Sequence, residues 1–373
     1  MSRSRRELSA REAALAPPRA LGPPAAAGVL RQQTEDFVVE EDLGFAPAGA
    51  GEQLLLRVRK RNANTPWVAR ELARIAGCRP GDVGYAGLKD RRAVAVQWFS
   101  VPRPRAAIDW HCAGGSDLEV LEVHPHTRKL PRGALAGNHF TVRIRSGAGD
   151  GAHLAALLAP RLEQIARHGV PNYFGPQRFG RDGANLVAAG ASRQRLRPQE
   201  RGFVLSATRS VIFNAVLAER VAAGSWRELR CGDLANLDGR GSFFPVDALD
   251  SSLAGRCERL EIHPTGPLWG AGLPSTRAAV LELESRVAAR FAGECARCAA
   301  AGLRQERRSL RLRVQELSCS AEAHAVVLRF RLGRGSFATA VLRELIATPG
   351  DGDGSACAGE ADGCVDQPAD SST

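Results

Sequence analysis

The sequence has no run of about 18 or more apolar residues, so no ordinary transmembrane helix is encoded. Lysine is nearly absent: Lys60, Lys89 and Lys129 are the only three among 51 basic residues, and the rest are arginine. Aromatic residues are scarce, at 5%. No Gly-x-x-x-x-Gly-Lys-Ser/Thr loop is present to cradle phosphates, which removes the basis for nucleoside triphosphate hydrolysis. A Gly-x-Ser-x-Gly elbow is also missing, so a serine nucleophile of the hydrolase kind has no support. The first 30 residues lack a continuous apolar core and carry Arg, Glu and Pro, unlike a secretory segment. Their Arg and Ser content would suit an organellar transit peptide, but Glu7 and Glu12 count against it. There is no internal repeat.

The nine cysteines are an odd number at irregular spacing, as expected of reduced thiols in a cytoplasmic protein. Cys295-x-x-Cys298 has no second such pair and no histidine pair nearby, so it reads as helical packing of small residues rather than a zinc site. His124-x-His126, split by Pro125, reads as a polar loop. The segment from Asp351 to Gly354 lacks the glycine and closing glutamate at the offsets a calcium loop needs.

What is present describes a globular protein: 44% hydrophobic and 24% charged residues over 373 positions. That length exceeds one domain of roughly 100–200 residues, so two units are expected. Lys plus Arg is 51 against 40 for Asp plus Glu, giving +11 and a pI near 9.8. Such an excess is the footprint of a polyanion binder, nucleic acid being the commonest case. A GC-rich coding bias explains the arginine and alanine surplus equally well, so the places where arginines cluster matter more than their total.

Residues 1–26, rich in Ala, Pro and Arg, read as a poorly ordered arm, and residues 350–373 as a disordered tail too polar to bury its own surface. Strand-like alternation runs through Asp36–Glu41, Gln53–Arg59, Ala93–Val101, Phe140–Arg145 and Ala325–Leu332. Helical periods occupy Thr65–Ala76, His153–Arg167, Ser206–Ala223 and Thr276–Ala301, with Thr65 placed to cap the first and Pro66 at its first turn. Strands dominate residues 30–145 and return near 310–335, while the stretch between is richer in helix and loop. The pattern predicts a mixed α/β catalytic unit into which a second domain is inserted.

Three segments could carry chemistry. Gly84-Tyr-Ala-Gly-Leu-Lys89-Asp90-Arg-Arg92 combines turn-forming small residues with an aspartate flanked by three cations, which suits a nucleophile or base better than a general acid. For an arbitrary protein, a solvated loop with a local Asp–Arg pair is the competing account. Leu130 to Phe140 leads into a strand through Gly137-Asn138-His139-Phe140. Pro171 to Gly180 concentrates Tyr173, Phe174 and Phe179 beside Arg178 and Arg181, as a stacking site for an unpaired base would. A hydrophobic hinge between domains fits that last segment as well.

The chain resembles the TruD family of tRNA pseudouridine synthases from about Val29 to Gly350. The residues that carry the resemblance begin with Thr34-Glu-Asp-Phe37-Val-Val-Glu-Glu41, Gly51 to Lys60 and Asn64-Thr-Pro-Trp67. They continue with Ala86-Gly-Leu-Lys-Asp90, Gly137-Asn-His-Phe140 and Asn172 to Gly180. Gly239-Arg-Gly-Ser242, Thr265 to Gly270, Gly335 to Thr339 and Arg343-Glu344 complete the series in the same order.

The resemblance implies a pseudouridine synthase-like catalytic domain with a mainly antiparallel sheet, formed by residues 27–168 and 315–349. Residues 169–314 would be the inserted family-specific α/β domain. It implies conversion of the uridine at position 13 of tRNA to its C-glycoside isomer, without metal or organic cofactor and with no obligate protein partner or membrane. The catalytic aspartate falls on Asp90. The match to Phe140 implies a ring stacked on the uracil, with Asn138 shaping that pocket and Lys89 beside it. Arg31 stands where members often carry Lys, and either can pair with the active-site carboxylate. The basic run Arg57, Arg59 and Lys60, together with Tyr173, Phe174, Gln177 and Arg178, is expected to touch RNA, and Arg304 to Arg313 forms a second basic run. The rival reading is an RNA-binding or RNA-folding protein whose isomerase site has decayed, which would not need Asp90.

Overall fold

The computed structural model describes residues 14–112, 114–147, 149–180, 183–186 and 198–348; the first half of the expected arm, Arg181 and the expected tail lie outside them. Among the described residues no helix is long and apolar enough to cross a membrane. The chain divides into two compact units. One comprises residues 27–157 and 315–335; the other holds residues 158–314 together with the described parts of 14–26 and 336–348. Residues 158–168 and 336–348, expected with the first unit, thus group with the second.

The first unit is built on an eight-stranded sheet. Its order is Gln315–Glu322, Ala325–Gly333, Gly137–Arg145, Phe37–Asp42, Val94–Pro102, Gln53–Arg61 and Leu118–His126, with Gly84–Tyr85 also paired to Val94–Pro102. Every pairing is antiparallel except that of Phe37–Asp42 with Val94–Pro102. The alternating segments all became strands, with ends shifted by one to three residues. Leu118–His126 is a strand the pattern did not signal, and it contains His124 and His126, so these are not in a loop. Pro125 is tolerated because this strand lies at the sheet edge, where an N–H on the outer side has no ladder partner.

Helix Thr65–Ala76 covers one face of the sheet. Val68, Ala69, Leu72 and Ala73 recur at helical spacing and pack with Leu54, Leu56, Val58, Phe99 and Val120. Its cap is Asn64 rather than Thr65: Asn64 Oδ1 accepts the Trp67 N–H at 2.9 Å. Thr65 is therefore inside the first turn, buried, with its hydroxyl directed elsewhere.

The second unit centres on helix Pro198–Ala222, whose Val211, Ile212, Phe213 and Leu217 are buried with Phe291 and Leu310. A four-stranded antiparallel sheet, ordered Phe243–Pro245, Leu234–Leu237, Ile262–Leu268 and Glu306–Ser309, occupies a stretch expected to be helix and loop. Pro264, Gly266 and Pro267 interrupt its longest strand and mask the alternation. The single helix expected over 276–301 is two, Ala278–Arg290 and Ala292–Ala300, parted at the buried Phe291.

Residues 14–26 depart from the expected loose arm. Glu344, fully buried, accepts the N–H groups of Ala20 at 2.9 Å and Leu21 at 3.1 Å. Arg343 donates to the carbonyl of Pro17, and Ala14 is buried in the core of the second unit. Satisfied backbone groups and an apolar anchor supply the order that composition alone did not suggest.

Candidate active site

The loop from Ala86 to Ala93 connects Gly84–Tyr85 to Val94–Pro102, so both of its ends are fixed on one strand. Gly84 starts it because a Cβ there would lie 2.5 Å from both the Leu130 carbonyl oxygen and Ser100 Oγ. Polar side chains from beneath then hold its backbone. Lys60, fully buried, donates to the carbonyls of Ala63 at 2.5 Å, Asp90 at 2.9 Å and Lys89 at 3.4 Å. Gln97 donates to the Gly87 carbonyl at 2.6 Å, and the Lys89 N–H donates to the Thr65 hydroxyl at 3.0 Å. Thr65 in turn donates to Gln97 Oε1 at 3.0 Å. A loop held this way at four backbone atoms presents its side chains in a set direction.

Two of the expected roles change as a result. Lys60 cannot meet a phosphate, because in the alternating strand Gln53–Arg61 it shares the buried face with Val58 and Leu56. Lys89 is directed inward as well: its ammonium lies 2.6 Å from Glu41 Oε1, with only 9% of the side chain exposed. The other Glu41 oxygen accepts the Trp98 N–H at 2.9 Å. Lys89 therefore ties the loop to the neighbouring strand rather than facing a substrate.

Asp90 points the other way. Arg31 Nη2 approaches Asp90 Oδ2 at 2.6 Å, both side chains about a third exposed or less. Arg31 has φ 55°, in the left-handed region, which non-glycine residues seldom adopt without a compensating contact. Its guanidinium also sits 4.2 Å from the centre of the Phe37 ring. Phe37 meets Phe140 edge-on at 6.0 Å, and Phe140 stacks on Phe330 at 5.3 Å. Phe140 is 7% exposed, so most of its ring is taken up by these neighbours.

Asn138 lies on the same face as Phe140, two residues earlier, and directly across the ladder from Glu41. It is buried, and its carbonyl oxygen Oδ1 has no hydrogen-bond partner. A buried acceptor left unpaired is costly, and in a cleft it marks a place for a donor from elsewhere. Arg31, Asp90, Asn138 and Phe140 are thus brought together in the first unit, through Phe37 and Glu41, which sequence reasoning did not single out.

Beneath Phe37, Asp36 is fully buried and takes hydrogen bonds from Arg145 at 2.7 Å and the Gln33 N–H at 2.8 Å. Burial works against its charge, but these bonds outweigh that and hold the carboxyl below its ordinary range.

The expected RNA contacts are placed differently. Arg57 pairs with Glu122 at 2.5 Å and Glu40 at 3.1 Å, and Arg59 pairs with Glu119 at 2.6 Å, so their charge is matched across the strands. Tyr173 and Phe174 are 2% and 6% exposed in the core of the second unit. Asn214 clamps Phe174 by accepting its N–H and donating to its carbonyl, both at 2.9 Å. Their ring faces are used for packing, not offered to a base. Gln177 is exposed, and Arg178 lies over Phe174 at 5.0 Å while donating to Ser206 Oγ. In the second basic run, Arg311 is buried among carbonyls of Cys257 and Ile262, and Arg307 pairs with buried Glu284.

Among the described residues no group of three or more His, Cys, Asp and Glu side chains is arranged to hold a metal ion. Burial pushes the thiols of Cys295 and Cys298 up to about 12 and about 11, so both stay protonated and packed at neutral pH.

Comparison with known proteins follows the same lines. The profile of the family tRNA pseudouridine synthase D (TruD) matches residues 20–192 and 187–345. A tRNA pseudouridine synthase D of Nitrosococcus oceani is 45% identical over 334 residues, covering 87% of this chain and 92% of the relative. That of Methylococcus capsulatus is 46% identical over 341 residues, covering 88% and 94%. A crystal structure from Methanosarcina mazei, titled provisionally as tRNA pseudouridine synthase D (TruD), superposes with a TM-score of 0.72 at 22% identity, over 92% of this chain and 99% of that one. At that identity the likeness speaks for the fold, a mixed α/β pseudouridine synthase fold with a mostly antiparallel sheet. With the family profile and the curated relatives together, the chain belongs to the TruD family of tRNA pseudouridine synthases.

Proposed function

We propose that this chain isomerises a uridine of tRNA, the one at position 13, to pseudouridine, with Asp90 as the acting carboxylate and no cofactor. The observation that carries this reading is the Arg31–Asp90 pair at 2.6 Å, made from left-handed backbone above a loop that buried Lys60 grips. Strain of that kind, about 1–3 kcal/mol, persists at sites that use it. In this reading the unit of residues 27–157 and 315–335 is catalytic and the other is the family-specific part. A tRNA substrate fits a cytoplasmic location.

The reaction breaks the bond from N1 to the ribose C1′, turns the base, and joins C5 to the same carbon. The proton lost at C5 is balanced by one gained at N1, so no outside reagent is consumed. Those atoms are out of reach inside stacked RNA, so the nucleotide must be extruded. The carboxylate then attacks the sugar or base, or removes a ribose proton. The planar fork of Arg31 aims the Asp90 oxygen for that step. The orphaned Asn138 Oδ1 supplies an acceptor for the uracil N3–H, and Phe140 offers its exposed margin to the base.

Incubating the purified chain with an unmodified tRNA transcript and mapping isomerised uridines tests this. Pseudouridine at position 13 is the expected result, and its absence from every tRNA tried would refute the reading.

A further inference from the structure

A cavity of about 580 Å³ opens on the first unit, and neither Asp90, Arg31, Asn138 nor Phe140 lines it. Gly84 and Tyr85, which lead straight into the Asp90 loop, form part of its wall. Its volume falls within the roughly 300–1,000 Å³ of small-molecule sites. The charged residues among its lining are Arg70, Lys129 and Arg132, and no carboxylate lines it. The nearby Asp82 is committed to the Arg79 N–H at 3.1 Å and the Arg79 side chain at 3.3 Å.

The three cations are set by the fold. Arg70 is carried on helix Thr65–Ala76, and Lys129 donates to the Gly81 carbonyl at 2.5 Å. The turn bearing Arg132 is fastened at both ends: the Leu130 N–H donates to Ser100 Oγ at 2.8 Å and the Gly133 N–H to the Ala86 carbonyl at 2.7 Å. The Arg132 guanidinium lies 3.6 Å from the centre of the Tyr85 ring, whose neighbour on the core side is Phe99 at 5.8 Å. Tyr85 thus fixes the plane of an exposed guanidinium and leaves its outer face to solvent. Among the described residues neither Arg70 nor Arg132 is paired with a carboxylate, whereas Arg57, Arg59 and Arg61 all are.

We propose that this cavity is a nucleotide subsite for the RNA strand, in which a base stacks on the outer face of Arg132 and the phosphate is taken by Arg70 and Lys129. The proposal rests on the isomerase reading, because the strand is that of the same tRNA at a nucleotide other than the reacting uridine. The lining has no side-chain amide, hydroxyl other than Tyr85, or carboxylate to read a base edge. Recognition here is therefore by stacking and phosphate charge, tolerant of sequence.

The test measures binding of an unmodified tRNA transcript to the full chain carrying Asp90→Ala, so that turnover does not enter. Adding Arg70→Ala and Arg132→Ala together is expected to weaken Kd about tenfold or more at low salt, and to make the slope of log K against log salt shallower by about 2. Arg132→Lys is expected to keep the slope while still losing affinity, because an ammonium carries the charge but not the stacking plane. Unchanged Kd and slope in the double variant overturn the proposal. Product formation by the wild-type chain is mapped in parallel. Weakened binding without product keeps the subsite and sinks the isomerase reading; product with unchanged binding does the reverse.

Discussion

The Arg31 guanidinium touches Asp90 Oδ2 at 2.6 Å on one side and covers the Phe37 ring at 4.2 Å on another. Between them these contacts settle both the plane and the reach of the side chain, which a lysine at the same place could not match with a single charged point. The aspartate itself sits on a loop whose own carbonyl oxygens are bonded to Lys60. The acid is thus oriented twice, through its side chain from above and through its backbone from below.

Replacing Asp90 with Asn or Ala should abolish pseudouridine formation and leave tRNA binding within a few-fold. Product mapping and a binding titration check this together. Wild-type rates from Asp90→Ala protein would sink the assignment.

Phe140 serves the core and, in the proposed mechanism, the base. Phe140→Ala should cost about 3–5 kcal/mol of stability through the cavity left against Phe330 and Phe37. Phe140→Leu keeps most of the volume, so its melting temperature should fall much less while the rate still drops by the roughly 1–3 kcal/mol of a lost stack. Normal turnover in the Leu variant would make the ring a packing residue only.

Lys60→Met leaves the carbonyls of Ala63, Lys89 and Asp90 without their donor. A loss of about 1–3 kcal/mol or more is expected from the unsatisfied groups. Measured well below the melting temperature, kcat should fall while KM for tRNA changes little, because the loop is displaced and the RNA surface is not. A purely structural lysine would lower the melting temperature and leave kcat intact.

Asp36→Asn tests the buried acid beneath Phe37. Its native carboxyl titrates below the ordinary range, so the unfolded chain takes up the proton first as pH falls. The stabilisation is full above the ordinary carboxylate range and is lost as pH drops through the depressed native value. The variant should therefore be clearly less stable than wild type at pH 7, with the gap closing toward pH 3 in chemical denaturation. A gap that stays constant with pH would show that the charge contributes nothing.

Much of the first unit was legible because alternation survives in its central strands, from Phe37–Asp42 to Ala325–Gly333. The pairing of Arg31 with Asp90 was legible too, from the motifs around each. Lys60 was misread as a phosphate contact although the signal was present: counted at period two from Leu56 and Val58, it falls on the inner face. Tyr173 and Phe174 are different. What hides them is Asn214 and Phe213 on helix Pro198–Ala222, some 40 residues away in sequence, and no local pattern reveals that contact. Glu41, Thr65 and Gln97 escaped notice for the same reason, since their partners lie on other strands or on the loop.

Because Lys60, Gln97 and Thr65 grasp main-chain atoms instead of the acid, whichever residue occupies position 90 inherits an unchanged perch. Reactivity and scaffolding are separable here, so an inactive chain can still assemble faithfully around its RNA and serve as a trap for the complex.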